Sequence, residues 1–205
     1  MTVRRAATAW TGPLASRSPG EPIPPPGGGR PYRDDMGTTG TMTAEAELLL
    51  AHLRAQRRHV LGILEGLDEE ALRRPVLPSG WSCLGLVRHL ALDDERFWFR
   101  GVVKGEQPVK DEVAAATQSS WTVGPEDTAE KVLARYREES TRTDAIVEST
   151  PLDAAPAWWP DFFGGFHLDD LREVLLHVIT ETAVHAGHLD AARELIDGRT
   201  WLVVD

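Results

Sequence analysis

The chain has 205 residues, 41% of them hydrophobic, and carries 22 basic against 32 acidic side chains, a formal net charge of −10. That balance argues against nucleic acid and anionic membrane partners, which need a basic face, and no run approaches the ~20 apolar residues of a membrane span. The sole cysteine, Cys83, excludes an internal disulfide and any multi-cysteine metal cluster, in keeping with a reducing cytoplasm.

Residues 1–42 hold seven of the 14 prolines and seven of the 18 glycines, including Pro24-Pro25-Pro26-Gly27-Gly28-Gly29. So little apolar surface cannot offset the entropy of ordering, and the stretch reads as a disordered extension. No apolar core of signal-peptide length follows Arg4 and Arg5. Five arginines against Glu21, Asp34 and Asp35 give the extension +2, which leaves −12 on residues 43–205 out of the total of −10. Met36 and Met42 each offer a start site just ahead of the first helix.

Residues 43–205 are long enough for one packed domain. Four helical segments are predicted, joined by turn-rich connectors. The first runs from Thr43, a good N-cap followed by Glu45 and Glu47, to Leu67, with Leu48, Leu49, Leu53, Val60, Leu64 and Leu67 as its apolar stripe. A connector over Asp68–Gly80, with Pro75 and Pro78, leads to a second helix from Ser82 to Val103. Its arc holds Leu86, Val87, Leu90, Phe97 and Trp98. A loop through Trp121 precedes a third helix that starts at Gly124-Pro125-Glu126-Asp127 and ends near Glu148, ahead of Pro151. The fourth opens at Asp169 or Asp170 with Glu173 completing a capping box, and closes at Asp197-Gly198. Trp201 to Val204 form a short apolar tail that packs back. With no strand-like alternation of useful length, the fold class is all-α, a four-helix bundle.

The fourth helix carries the chemistry. His177, Glu181, His185 and His188 fall within about 80° of one another at 100° per residue, alongside Val174, Val178, Ala192, Leu195 and Ile196. The quartet is therefore expected on the core face, where imidazoles and a carboxylate must be paired, neutralised or bound to something. A divalent metal satisfies all of them. Glu181 with His185 is one ligand pair and His185 with His188 the other; the remaining members are left to hold the ligands in place. His89, on the second helix with Asp93 four residues later, supplies a ligand from a facing element. Trp158, Trp159 and Phe162, with Phe163 and Phe166, precede the fourth helix and either wall a substrate cleft or plug the bundle end.

Three further readings are bland. Cys83 is a small core residue, Asp190 and Arg193 form a weak surface pair, and His52 and His59 lie at the surface or at an interface.

His89-Leu-Ala ahead of Glu95 and Trp98, together with Glu181-Thr-Ala-Val-His185-Ala-Gly-His188-Leu-Asp190 and Arg193-Glu194-Leu-Ile-Asp-Gly198, resembles the DinB-like superfamily and within it the mini-circle-protein branch, over about residues 43–200. The resemblance implies a bundle that is often a homodimer. It also implies a metal triad carried by position onto His89, Glu181 and His185, with His177 and His188 as supporting or substitute ligands. Zinc is the expected ion, nickel or iron the alternatives. Members are thiol S-transferases or a thiol-dependent isomerase that use mycothiol or bacillithiol, and the Glu at position 181 is similar to the mycothiol-using isomerase. The implied function is activation of a low-molecular-weight thiol for addition to a small electrophile in the cytoplasm, or thiol-assisted isomerisation. Arg88 and Arg96 are candidate partners for anionic groups of the thiol. The alternatives are a metal-dependent hydrolase or lyase using bound hydroxide, and a non-catalytic stress or binding protein with a structural metal.

Overall fold

A computed structural model of the chain describes residues 42–202. The expected extension falls outside them apart from Met42, as do residues 203–205. Among the described residues the structure is all helical and contains no strand.

Helix α1 (Ala44–Leu64) starts at Thr43, whose Oγ1 accepts from the Ala46 N–H at 3.2 Å. Its inner face is Ala46, Leu50, Leu53, Arg57, Val60, Ile63 and Leu64. Leu48, expected in the stripe, is 59% exposed; Leu50 takes that place, and an arginine stands in the middle of the buried face. The Asp68–Gly80 connector contains a short helix, α2 (Glu69–Arg73), capped by Asp68.

Helix α3 (Cys83–His89) is capped by the Ser82 hydroxyl, which accepts from Gly85 N at 3.1 Å. It continues without a break as a π-helical segment, Leu90–Val103. The plain α-helix expected there is corrected by bonds such as Lys104 N to Phe99 O at 3.0 Å, which span five residues rather than four. The six consecutive residues Asp94–Phe99 are buried, so this stretch of the segment is enclosed on all sides instead of showing a single arc.

The expected loop contains helix α4 (Gln107–Ala115), with Pro108 in its first turn, where a missing N–H costs nothing. Helix α5 (Ala129–Glu148) begins at Thr128 rather than Pro125. Gly124–Asp127 instead closes on itself, with Gly124 N donating to Asp127 Oδ2 at 2.9 Å. A 3₁₀ turn, Asp161–Phe163, precedes helix α6 (Leu171–Asp197). Asp170 accepts from Glu173 N at 2.9 Å and Glu173 returns to Asp169 N at 2.7 Å, while Gly198 ends the helix at φ 77°.

The core membership gives the topology. Ala46, Leu50 and Leu53 of α1 share one apolar cluster with Leu171, Val174 and Val178 at the start of α6 and with Val102, Val103, Ile146 and Val147 at the ends of the π segment and α5. Val60, Ile63 and Leu64 share the other with Ala186, Leu189 and Ala192, and with Leu84, Leu86, Val132 and Tyr136. Helices α1 and α6 therefore run parallel, and α3 with its π segment and α5 run the opposite way. Two parallel neighbours in sequence require a connection along the whole bundle. Residues 104–128 make it, and so return Ser120 and Trp121 to the level of α3.

A buried polar layer separates the two apolar halves. Arg57 donates to both oxygens of Glu95 at 2.7 and 2.8 Å and to Asp144 at 2.6 Å. Glu139, fully enclosed, accepts from Arg96 at 3.2 Å and from Arg100 and Arg135 at 3.1 Å. Asp94 Oδ2, Tyr136 Oη and Thr143 Oγ1 in the same region lack a hydrogen-bond partner among the described residues.

The surface pair expected of Asp190 and Arg193 is corrected as well. Both are buried. Arg193 reaches the Ile63 carbonyl and the Glu65 carbonyl (2.9 Å) at the end of α1. Asp190 accepts from the backbone N–H groups of Trp201 at 2.7 Å and Leu202 at 2.9 Å. The Trp201 indole donates to His59 Nδ1 at 3.0 Å, giving that histidine a partner from the far end of the chain.

Candidate functional site

The site lies where α3 passes into the π segment, opposite the middle of α6. The buried arc of α6 is Leu171, Val174, Leu175, Val178, Thr182, His185, Ala186, Leu189, Asp190, Ala192 and Arg193. At 100° per residue this arc is centred about 120° from His177, so the histidine quartet sits on its edge, not at its centre. Of the four, His185 is buried at 8% exposure, His177 and Glu181 are intermediate and His188 is exposed. Leu195, expected on the inner face, is exposed.

Four of the expected residues come together. The rings of His89 and His185 meet edge to face with centroids 5.1 Å apart, and Glu181 Oε2 lies 3.7 Å from His185 Nε2. His188 Nδ1 lies 3.4 Å from His185 Nδ1. His177 is two turns away and belongs to a different neighbourhood: its ring meets Trp98 at 4.7 Å and Phe166 at 5.8 Å. The aromatic residues expected to wall the cleft follow it there. Trp158 and Phe162 pack against Phe97 at 6.0 and 6.3 Å, and Trp159 against Trp98 at 5.9 Å.

The ring that does touch the imidazoles is Trp121, delivered by the crossover. It stacks on His89 with centroids 4.4 Å apart and an 18° interplanar angle, and lies 5.5 Å from His185. Gly85 makes this possible, since a Cβ there would lie 2.5 Å from the Trp121 carbonyl oxygen. The same crossover brings Ser120, which donates a short hydrogen bond to Asp93 Oδ2. Asp93 in turn sits 2.9 Å from His89 Nδ1. A carboxylate can only accept, so the neutral imidazole carries its proton on Nδ1 and presents Nε2 as a lone pair. The His89–Asp93 spacing was readable in sequence; Ser120, Trp121 and Trp81 gave no periodic signal.

Burial, then the neighbouring His89 and His188 rings, lower the His185 pKa to about 4, so His185 is neutral at physiological pH. Asp94 is pushed well above the ordinary carboxylate range, by burial first and then by Glu181, Asp93 and Glu95. Glu181 and Asp93 face Asp94 from the site, while Glu95 is held by Arg57. Among the described residues no three His, Cys, Asp or Glu side chains are placed to hold an ion as they stand. The donor chemistry nevertheless fits one. His89 offers Nε2 with its other nitrogen held by a carboxylate, a pairing typical of metal-bound imidazoles. His185 and Glu181 complete a His/Glu/His set of the kind that binds zinc or similar ions.

Cys83 stands apart from this chemistry. It is buried in the core with its thiol pKa pushed up to about 11, chiefly by desolvation. Arg88 and Arg96 are likewise committed elsewhere, Arg88 to the Ser120 carbonyl at 2.7 Å and Arg96 to Glu112 at 2.6 and 3.0 Å and Glu139 at 3.2 Å.

A family model described as mycothiol S-transferase matches residues 48–198, which runs from the second turn of α1 through the end of α6 and takes in every residue of the site. The chain belongs to this family, in agreement with its DinB-like sequence motifs and all-helical bundle. Comparison with curated proteins finds no match. No helix among the described residues is long and apolar enough to cross a membrane.

Proposed function

We propose that the protein is a metal-dependent transferase that activates the thiol of mycothiol for addition to a small electrophile, in the cytoplasm. The observation that carries this reading is the approach of His89 and Glu181 to His185 in a mycothiol S-transferase chain. His89, Glu181 and His185 would hold the ion, with zinc first and nickel or iron as alternatives. When bound, a divalent ion supplies the Lewis acidity that lets a thiol ionise near neutral pH.

The chain's own groups do the rest. Asp93, braced by Ser120, fixes the His89 tautomer and ring orientation. Burial keeps the His185 lone pair free of a proton. His188, exposed beside His185, receives the thiol proton at an imidazole nitrogen and passes it to water. The sulfur forms a bond to the electrophilic carbon. In a substitution, the leaving group departs with its bonding pair; in an addition, the neighbouring carbon takes up the proton instead.

Elemental analysis of untagged protein should find about one divalent ion per chain, absent from His89→Ala and His185→Ala. With mycothiol and a haloaromatic electrophile, conjugate should form faster with enzyme than without, and chelation should abolish the difference. Thiol-independent hydrolysis of the electrophile would favour an activated-water mechanism instead. Stoichiometric metal retained in both mutants would overturn the ligand assignment.

A further inference from the structure

A cleft of about 580 Å³ opens beside the imidazoles and is lined by Arg73, Pro75, Ser79, Gly80, Trp81, Ser82, Trp121, Thr122 and Val123. Its volume lies within the range of small-molecule sites. Two indoles form its corner: Trp81 and Trp121 meet at 61° with centroids 6.3 Å apart. The cleft shares a wall with the site already described, because Trp121 stacks on His89 and Trp81 lies 6.4 Å from His188.

The polar groups around this corner favour an uncharged ligand. Arg73, the cleft's one cation, is already bound to Glu69 at 2.6 Å and to the carbonyls of Asp127 at 2.6 Å and Gly124 at 3.3 Å. It has little left for a phosphate or carboxylate. Hydroxyls are better supplied. Ser82 Oγ accepts from Gly85 N and keeps its proton to donate, and Ser79, Thr122 and both indole N–H groups carry no side-chain bond to other described residues. Flat indole faces flanked by hydroxyls and N–H donors suit a saturated ring with an apolar C–H face and a rim of hydroxyls. They suit a charged or wholly apolar group less well.

We infer that this cleft seats the polyhydroxylated ring portion of the thiol cosubstrate, its amino-sugar and cyclitol, and so directs the cysteinyl sulfur toward His89 and His185. The inference rests on the reading of mycothiol as the thiol used. It makes the cleft the element that distinguishes mycothiol from simple cysteine thiols, with Trp81 as the main specificity-determining side chain.

The test uses the full chain and the thiol-free glucosaminyl-inositol as probe. Saturation-transfer NMR should show its ring protons in contact with the protein, and Trp81→Ala should remove the signal. In turnover assays, Trp81→Ala should lower kcat/KM for mycothiol at least tenfold and collapse the preference for mycothiol over N-acetylcysteine toward unity. Sugar binding lost in Trp81→Ala, from a protein with no transferase activity, would support the cleft assignment while sinking the transferase reading. Normal transferase activity with no sugar contact and an unchanged mycothiol preference in Trp81→Ala would overturn the inference and leave that reading standing. Contact of the cleft with a planar electrophile in place of the sugar would also overturn it. Trp81→Phe, which keeps an aromatic face, should retain part of the preference; a variant that failed to fold would show instead in its circular dichroism.

Discussion

The Arg57–Glu95 pair gives the sharpest test of the buried polar layer. Both partners lie in the bundle interior, with side-chain exposures of 7% and 1%, joined by two bonds at 2.7 and 2.8 Å. Replacing Glu95 by Gln keeps the shape and removes the charge, leaving a buried guanidinium short of its main counter-ion. Breaking such a pair from one side costs about 3–5 kcal/mol. Arg57 retains Asp144 at 2.6 Å, which places the loss at the lower end, about 3 kcal/mol. For a domain of this length that corresponds to a fall of roughly 6–12 °C in thermal midpoint. The double variant Arg57→Met/Glu95→Leu removes both charges and restores apolar packing, so it should be more stable than either single variant. Asp144 keeps Arg54 at 2.7 Å in that background. Urea and thermal unfolding followed by far-ultraviolet circular dichroism would measure all four proteins. A loss under about 1 kcal/mol in Glu95→Gln, or a double variant as unstable as the sum of the singles, would refute the reasoning.

Three further outcomes follow from the packing. Gly85→Ala drives a methyl group against the Trp121 carbonyl, so overpacking of about 1–3 kcal/mol should outweigh the helix-propensity gain of about 1 kcal/mol; metal affinity should fall about tenfold as Trp121 leaves His89, and unchanged affinity by calorimetry would count against that support. Cys83, with its thiol pushed up to about 11, should be about one part in a thousand thiolate at pH 8 and react with iodoacetamide at least a hundredfold more slowly than a free thiol. Because the folded value is raised, the associated stability is complete below the ordinary thiol pKa and lost as pH rises toward about 11; Cys83→Ala should lack that alkaline loss, and fast alkylation of the native protein would contradict the burial. A chain ending at Gly198 takes both N–H donors from the buried Asp190 carboxylate, which should cost about 1–3 kcal/mol; an unchanged thermal midpoint would show that the terminal residues contribute nothing there.

What was legible in the sequence was local. The caps at Thr43, Ser82, Asp170 and Gly198 depend on side chains within a few residues of the bonds they make, and each stood out. Likewise the i, i+4 pairs His89–Asp93 and Glu181–His185 meet in the structure. The phase of α6 was misjudged because a polar quartet at the edge of a buried arc resembles one at its centre when the opposite edge, Leu171, Leu175 and Leu189, is left out. Other features depended on distant chain. Arg57 finds its counter-ion in Glu95, 38 residues away. Trp121 stacks on His89 only because the crossover spans the bundle, and Asp190 finds its donors 11 and 12 residues beyond itself. The π winding of Leu90–Val103 was not visible in its apolar arc, since Asp94–Phe99 are buried without a period.

The parallel pairing of α1 with α6 has a consequence for biogenesis. Arg172 holds Glu45 at one end and Arg193 holds the Glu65 carbonyl at the other, bonds that span 127 and 128 residues of chain. Until α6 leaves the ribosome, Leu50, Leu53, Val60 and Ile63 lack the α6 part of their cover, even once the π segment, α3 and α5 have packed against them. Closure of so long a loop makes folding slower than in bundles of simple helical hairpins, and a nascent chain stalled before Leu171 would present an uncovered apolar stripe to chaperones and proteases.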